Sequence, residues 1–251
     1  MIIRKSQREI AKMQAANQIV ARTHALLREK IAPGITTAEL DAMAEEFIKQ
    51  EGGQPSFKGY RGYPASVCLS INEEVVHGIP SSNKSLKDGD IVSIDIGVFY
   101  QGFHGDAART VGVGEISNKA EQLLETTRQA LDVGIEEAVI GNHLTDISHA
   151  IQEFVEGRGY SVVKQYVGHG IGRDMHEDPQ IPNFGPPGKG AKLKEGMTFA
   201  IEPMVNVGDF AVKTKDDDWT VVTVDGSLSA HWEDSIAITK DSPLIMSRLT
   251  D

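Results

Sequence analysis

Cysteine is almost missing from this 251-residue chain: Cys68 stands alone, which excludes an internal disulfide framework and a zinc site built from thiolates. Long apolar runs are missing too. The stretch MIIRKSQREI lacks the apolar core of a signal peptide, and no segment approaches the roughly 20 residues of a membrane helix. These absences predict a cytoplasmic protein without membrane contact. Basic excess is lacking as well, with 25 Lys and Arg against 36 Asp and Glu and a net charge of −11. Phosphate backbones want a basic surface, so this charge argues against nucleic acid as the main partner. A site that attracts amines or metal cations fits this charge. No low-complexity segment, heptad run or natural linker divides the chain.

What is present is an ordinary globular composition, 40% hydrophobic with 25 Gly and 10 Pro for many turns. Within it, LKDGDIVSIDIGVFYQGFHGD (86–106) reads as a half-buried β-hairpin turning at Tyr100-Gln-Gly. Val92, Ile94, Ile96 and Val98 share one face by the two-residue period of a strand, and Ser93, Asp95 and Gly97 the other. Asp95 and Asp106 are thus mid-strand carboxylates, which need a partner or an altered pKa.

The stretch recurs. LKDGDIVSIDIG (86–97) lies over LKEGMTFAIEPM (193–204) without a gap, placing Asp95 over Glu202. The same offset of 107 lays Gly34 on Gly141 and Phe47 on Phe154. A looser echo, HGDAART against HWEDSIAIT, puts His104 over His231 and Asp106 over Glu233. One domain over 1–251, built from halves at roughly 5–112 and 117–240 about a pseudo-two-fold, would gather the four carboxylates at its axis.

Helical spacing predicts helices over 4–31, from a Thr36–Glu39 capping box to Gly52-Gly53, over 117–140, and from Thr145 to Gly157. Strands are expected at the end of 56–72 and over 161–167, 197–205, 219–224 and 229–239. Residues 73–80 and GHGIGRDMHEDPQIPNFGPPGKG read as loops, and they carry His77, His169 and His176 among glycines. Glycines flanking His169 let the backbone approach something closely. His104 and His231 are expected to orient the carboxylates.

Four carboxylates and a neutral imidazole bring about four negative charges into one pocket, which two divalent cations would neutralise. Carboxylates bridge such a pair at roughly 3.5–4 Å, as in two-metal hydrolysis. Oxygen ligands with one imidazole suit Mn, Fe, Co or Zn. A water between such ions becomes a nucleophile near neutrality. The set points to a dinuclear hydrolase and leaves its substrate open.

CLSINEEVVHGIP, DIGVFYQGFHGDAART, YVGHGIGRDMHEDP, TFAIEPM and SAHWEDS, in that order, resemble the short bacterial type I methionine aminopeptidases over about residues 5–240. The resemblance implies an α+β pita-bread fold, with two pseudo-symmetric halves whose curved antiparallel sheet is covered by helices. It implies a metallo-exopeptidase that removes the initiator methionine when the next residue is small, by attack of a metal-bridging hydroxide on the scissile carbonyl. Carried across by position, Asp95, Asp106, His169, Glu202 and Glu233 become the ligands, with Asp106 and Glu233 bridging. His176 would polarise the carbonyl, His77 would meet the peptide nitrogen, and Glu202 would move the proton to the leaving amine. The free N-terminal amine would bind a metal directly.

By the same resemblance the methionine pocket includes Tyr60, Tyr63, Cys68 and Trp219, and a monovalent cation sits near Asn72, Glu74 and Ser229. The implied partners are nascent N-termini and, transiently, the ribosome; the implied state is a monomer. Phe57 and Met175 stand where many members have Cys and Phe, and Asp174 where Gly is usual, which bears on pocket shape. Prolidase-like relatives carry an extra N-terminal domain. Type II enzymes carry an insertion between His176 and Glu202, where this chain has 25 residues. A metal-free binding module of this fold should have lost a ligand, and all five are present.

Overall fold

The computed structural model describes residues 1–250. Helices α1 (Gln7–Lys30) and α2 (Thr37–Gln50) open the chain, followed by strands β1 (Gln54–Pro55), β2 (Cys68–Ile71), β3 (Glu74–Val76), β4 (Ile91–Tyr100) and β5 (Phe103–Gly112). Helices α3 (Asn118–Glu136) and α4 (Leu144–Glu156) start the second half. Its strands are β6 (Ser161–Val162), β7 (Gly168–Gly170), β8 (Glu177–Ile181), β9 (Thr198–Ile201), β10 (Met204–Asn206), β11 (Val212–Thr214), β12 (Val221–Thr223), β13 (Ser229–His231), β14 (Glu233–Ala237) and β15 (Leu244–Ile245).

The main sheet runs β1-β4-β5-β14-β9-β7-β8, with β2 also on β4 and β15 also on β14, all antiparallel. Its order reads alike outward from the β5–β14 junction: β4 lies beyond β5 on one side and β9 beyond β14 on the other. These are the strands whose sequences echo each other. One face is closed by helices. Ile19, Val20 and Leu27 of α1 and Leu40, Ala44 and Ile48 of α2 pack on Ile94, Ile96 and Ala107. In the second half Leu123, Leu131, Ile147 and Ile151 of α3 and α4 pack with Phe199, Ile201 and Ile236. Among the described residues no helix is long and apolar enough to cross a membrane.

The β4–β5 hairpin turns on Gln101 and Gly102, both at positive φ (52° and 84°), which matches the twist of a two-residue primed turn. Its faces are not half-buried as expected. Ser93 and Gly97 are as enclosed as Ile94, because a second layer covers the face carrying Asp95. The capping box on Thr36 and Glu39 forms as the sequence predicts.

The first helix starts at Gln7 instead of residue 4, because Ser6 and Glu9 make a capping box there and leave residues 1–6 outside the helix. The expected strand over 161–167 pairs only at Ser161 and Val162, since its partner β10 is three residues long. The 73–80 loop contains β3, which pairs with β12. The strands over 197–205 and 229–239 are each broken, at Glu202-Pro203 and at Trp232.

The Gly-rich loop after Val167 hides two paired strands, β7 and β8. A Cβ on Gly168 would lie 2.5 Å from the Ala200 carbonyl oxygen, and one on Gly170 would lie 2.1 Å from that of Asp178. Strands pressed this tightly need glycine, so they lose the alternation by which sequence reveals a strand.

Candidate metal centre

Strand register alone puts the acidic residues on one face, because directly paired residues point to the same side of a sheet. Asp95 pairs with Ala108, and Ala108 pairs in turn with Glu233 across the β5–β14 junction. Asp106 stands two residues before Ala108, opposite Gly97. His169 pairs with Ala200, two residues before Glu202, and Ala200 pairs with Ser235, two after Glu233. Small residues fill the intervening positions (Gly97, Ala108, Ala200 and Ser235), which leaves a hollow ringed by Asp95, Asp106, His169, Glu202 and Glu233. All five line one cavity of about 140 Å³.

Ligand atoms of Asp106, His169 and Glu233 lie within 4.8 Å of one another. His169 Nε2 is 3.6 Å from Glu202 Oε1 and 3.8 Å from Asp106 Oδ2. Its Nδ1 meets the Gly170 carbonyl at 2.9 Å, which puts the ring proton on Nδ1 and turns the Nε2 lone pair toward the carboxylates. Burial holds this imidazole down at about 3, so it is neutral near pH 7.

The carboxylates are badly provided for by the chain itself. Asp95 Oδ1, Asp106 Oδ1 and Glu233 Oε1 are buried without a hydrogen-bond partner. Burial pushes the Asp95 carboxyl up to about 7 and that of Glu202 up to about 8. Burial and the neighbouring Asp95 charge raise Asp106 well above the usual range, and burial with the Asp106 charge does the same to Glu233. Orphaned acceptors, an imidazole lone pair and unneutralised charge are what a divalent cation site requires of its donors. The residues present fit such ions.

The remaining cavity wall carries the other expected residues: Tyr60, Tyr63, Cys68, His77, His176 and Trp219. Cys68 is there because it pairs with Asp95 and shares its face. Its thiol is kept protonated by burial and the Asp95 charge. Phe57 and Met175 join Tyr63 and Cys68 in one apolar cluster. His77 follows β3 at φ 59°, and Gly78 lies so close to β2 that a Cβ would sit 2.3 Å from the Leu69 oxygen. That approach aims His77 inward against Tyr166 and Trp219, at ring separations of 5.5 and 6.2 Å.

His176 stacks beside Tyr60, and its Nδ1 is 2.8 Å from the Tyr60 hydroxyl. Its ring centre is 4.2 Å from that of His169. Burial holds His77 and His176 down at about 4. With both rings neutral, each keeps one N–H to donate and one lone pair to accept.

Not every expected residue gathers here. Asn72, Glu74 and Ser229 lie outside the cavity, where the Asn72 carbonyl accepts from the Ser229 N–H at 2.9 Å. The Glu74 carboxylate is taken by Lys84 and Lys215, each at 2.9 Å. His231 Nε2 stands 3.5 Å from Glu202 Oε2, beside a carboxylate as expected. His104 does not reach one. It sits at the outer end of the hairpin, where its Nδ1 meets Ser56 Oγ at 2.8 Å and its ring packs on Phe99. Sequence reading missed Arg61 on the cavity wall and Tyr166 against His77. Neither has a spacing signal; a Tyr-Arg between two glycines at positive φ is only a turn until the fold places it.

Residues 11–240 match metallopeptidase family M24. The chain is 56% identical over 247 residues to a methionine aminopeptidase of Clostridium acetobutylicum, covering 98% of this chain and 99% of that one. It is 57% identical over 249 residues to methionine aminopeptidase 1 of Bacillus subtilis, covering 99% and 100%. The crystal structure of methionine aminopeptidase from Thermotoga maritima superposes with a TM-score of 0.98 at 48% identity, covering 99% of this chain and all of that one. Prolidase from Pyrococcus furiosus shares the fold, with a TM-score of 0.81 at 24% identity, and this chain covers 66% of it. The sheet, the helices on one face and the acidic hollow on the other are therefore a pita-bread fold, and the chain belongs to metallopeptidase family M24, among its methionine aminopeptidases.

Proposed function

We propose that the chain removes the initiator methionine from nascent proteins whose second residue is small, with two divalent cations (Mn, Fe, Co or Zn) held by Asp95, Asp106, His169, Glu202 and Glu233. The observation that carries this reading is the row of buried, partnerless carboxylate oxygens on one sheet face. Cations bound there would supply the missing positive charge, polarise a carbonyl and lower the pKa of a water. Asp106 and Glu233, which stand on the two strands that meet at the β5–β14 junction, would hold the cations from either side of that junction.

The chain's own groups do the rest. The Tyr60 hydroxyl donates to His176 Nδ1, which leaves the Nε2–H free to donate to the oxygen of the scissile carbonyl as charge develops. His77, held by Tyr166 and Trp219, meets the peptide nitrogen. Glu202 faces His169 with one oxygen and His231 with the other, and it takes up a proton and passes it to the leaving amine. Phe57, Tyr63, Cys68, Met175 and Trp219 receive the methionine side chain, an unbranched thioether suited to aromatic and sulfur contacts.

The whole chain acts in this reading as one catalytic domain of two related halves. The reading brings with it the cytoplasm, where nascent chains arise, a passing contact with the ribosome and a monomeric state. A monovalent cation near Asn72 and Ser229 would use backbone oxygens, since Glu74 is already paired. The test is hydrolysis of Met-Ala-Ser, Met-Ile-Ser and Ala-Pro peptides by chelated and by metal-reloaded protein, with metal counted by elemental analysis. Metal-dependent release of methionine from Met-Ala-Ser alone is expected. Cleavage confined to the Ala-Pro peptide would replace the substrate, and loading with a single ion would remove the dinuclear mechanism.

A further inference from the structure

We propose that the buried ion pair between Lys5 and Glu177 is a positioning device for His176, through which the segment ahead of the first helix governs the reaction. The inference rests on the reading of His176 as a group that meets the substrate. The Lys5 and Glu177 side chains are only 3% and 6% exposed.

The segment is anchored on its far side. The Lys5 N–H donates to the Gly196 carbonyl, and Arg4 Nε to that of Glu195, both at 2.6 Å. From this anchor the Lys5 ammonium reaches one oxygen of Glu177. The other oxygen of Glu177 accepts from the Arg173 N–H at 2.8 Å. The turn 172–177 is closed around the pair. A Cβ on Gly172 would lie 2.3 Å from Glu177 Oε1 and 2.5 Å from Lys5 Cε. The Gly172 carbonyl is fixed in turn by the His104 N–H at 2.8 Å, and Arg173 pairs with Glu9 of α1 at 3.1 Å. His176 is the residue just before Glu177, so the direction of its side chain follows from how this turn is held.

A buried ion pair is a poor way to gain stability, because the desolvation of both charges offsets most of their attraction. Apolar side chains of the same shape would fill the space as well. What they would lack is direction: a carboxylate bonded at once to an ammonium and to a turn amide fixes the turn's orientation. A catalytic donor misplaced by about 1 Å costs on the order of a hundredfold in rate, so small freedom in this turn would be felt at His176.

The experiment is a double-mutant cycle in the full, metal-reloaded chain with Met-Ala-Ser as substrate. Its members are Lys5→Met, the uncharged pair Lys5→Met with Glu177→Gln, His176→Ala, and the combinations. The uncharged pair leaves no lone buried charge, so it folds even if Lys5→Met alone does not. We expect either disruption to lower kcat by roughly tenfold with KM little changed. Metal affinity, measured by calorimetry on the chelated protein, should not move. In the His176→Ala background the same disruptions should cost nothing more. Losses that multiply with that of His176→Ala, a weakened metal affinity in step with kcat, or full activity in the uncharged pair would each overturn the inference. Undiminished kcat in His176→Ala by itself would instead overturn the reading of His176 on which the inference stands.

Discussion

Glu233 and Asp234 are neighbours on β14, both almost wholly buried, and they are treated in opposite ways. Asp234 pairs with Ala107 and Ile201 and points to the helix-covered face. There it receives the Arg109 guanidinium, Arg248 Nε at 2.8 Å and the Ser247 hydroxyl at 2.6 Å. Glu233 points the other way, toward Asp95, Asp106 and Glu202, and its Oε1 has no partner. The difference is informative because the fold shows that it can neutralise a buried acid one residue away. Behind the sheet arginines pair with the acid, whereas in front, among the described residues, none pairs with Asp95, Asp106, Glu202 or Glu233 although Arg61 lines the cavity. The front face is built for a cation that the chain does not itself carry.

The largest effect should come from the front. Glu233→Gln or Asp106→Asn removes an anion from between the proposed ions and should abolish both activity and two-metal loading, read by elemental analysis and peptide hydrolysis. Behind the sheet, Asp234→Ala strands two arginines beside a buried gap. It should cost about 3–5 kcal/mol in urea unfolding of the loaded protein, with two ions still bound. Metal loss in Asp234→Ala as complete as in Glu233→Gln would erase the distinction between the faces. Next in size, His176→Ala should keep both ions and lower kcat by roughly 10²–10³, the usual loss for one oxyanion donor. A raised KM at constant kcat would make it a ground-state contact instead.

Much of this contrast was legible in the sequence. Alternation on 91–100 and its echo at 198–202 located Asp95 and Glu202, because strand period is a local signal. The capping box at Thr36 was legible for the same reason: it is a contact over three residues. Asp234 was not singled out, although a Glu-Asp doublet in a strand must send one acid to each face. Its partners Arg109 and Arg248 are 125 and 14 residues away, and no period links them to it. The Gly168–Gly170 strand was hidden because close packing had removed the side chains that would have marked it. Likewise, the Lys5–Glu177 pair spans 172 positions and became visible only when the chain had folded.

The smallest expected effect is also the most direct test of the bare front face, because it needs no mutation. In the metal-free protein Asp95 and Glu202 titrate near 7 and 8, above their ordinary 3.8 and 4.5. Between those limits the native state binds more protons than the unfolded chain, so stability must fall as pH rises. The buried imidazoles work in the opposite sense. His24 and His169 are held at about 3, and His77, His176 and His231 at about 4, against 6.5 when unfolded. Below pH 6.5 the unfolded chain therefore takes up more of these protons, and stability falls as pH falls. Above about pH 7.5 the unfolded imidazoles have lost nearly all their protons as well, and only the carboxylates remain. Urea unfolding of the chelated protein should lose on the order of 1 kcal/mol per pH unit from pH 7.5 to 8.5. Reloading with Mn or Co should flatten the slope, since the cations neutralise the carboxylates before protons can. A chelated protein equally stable at pH 7.5 and 8.5 would mean that the front carboxylates find their counter-charge within the chain, and the two faces of β14 would then be alike.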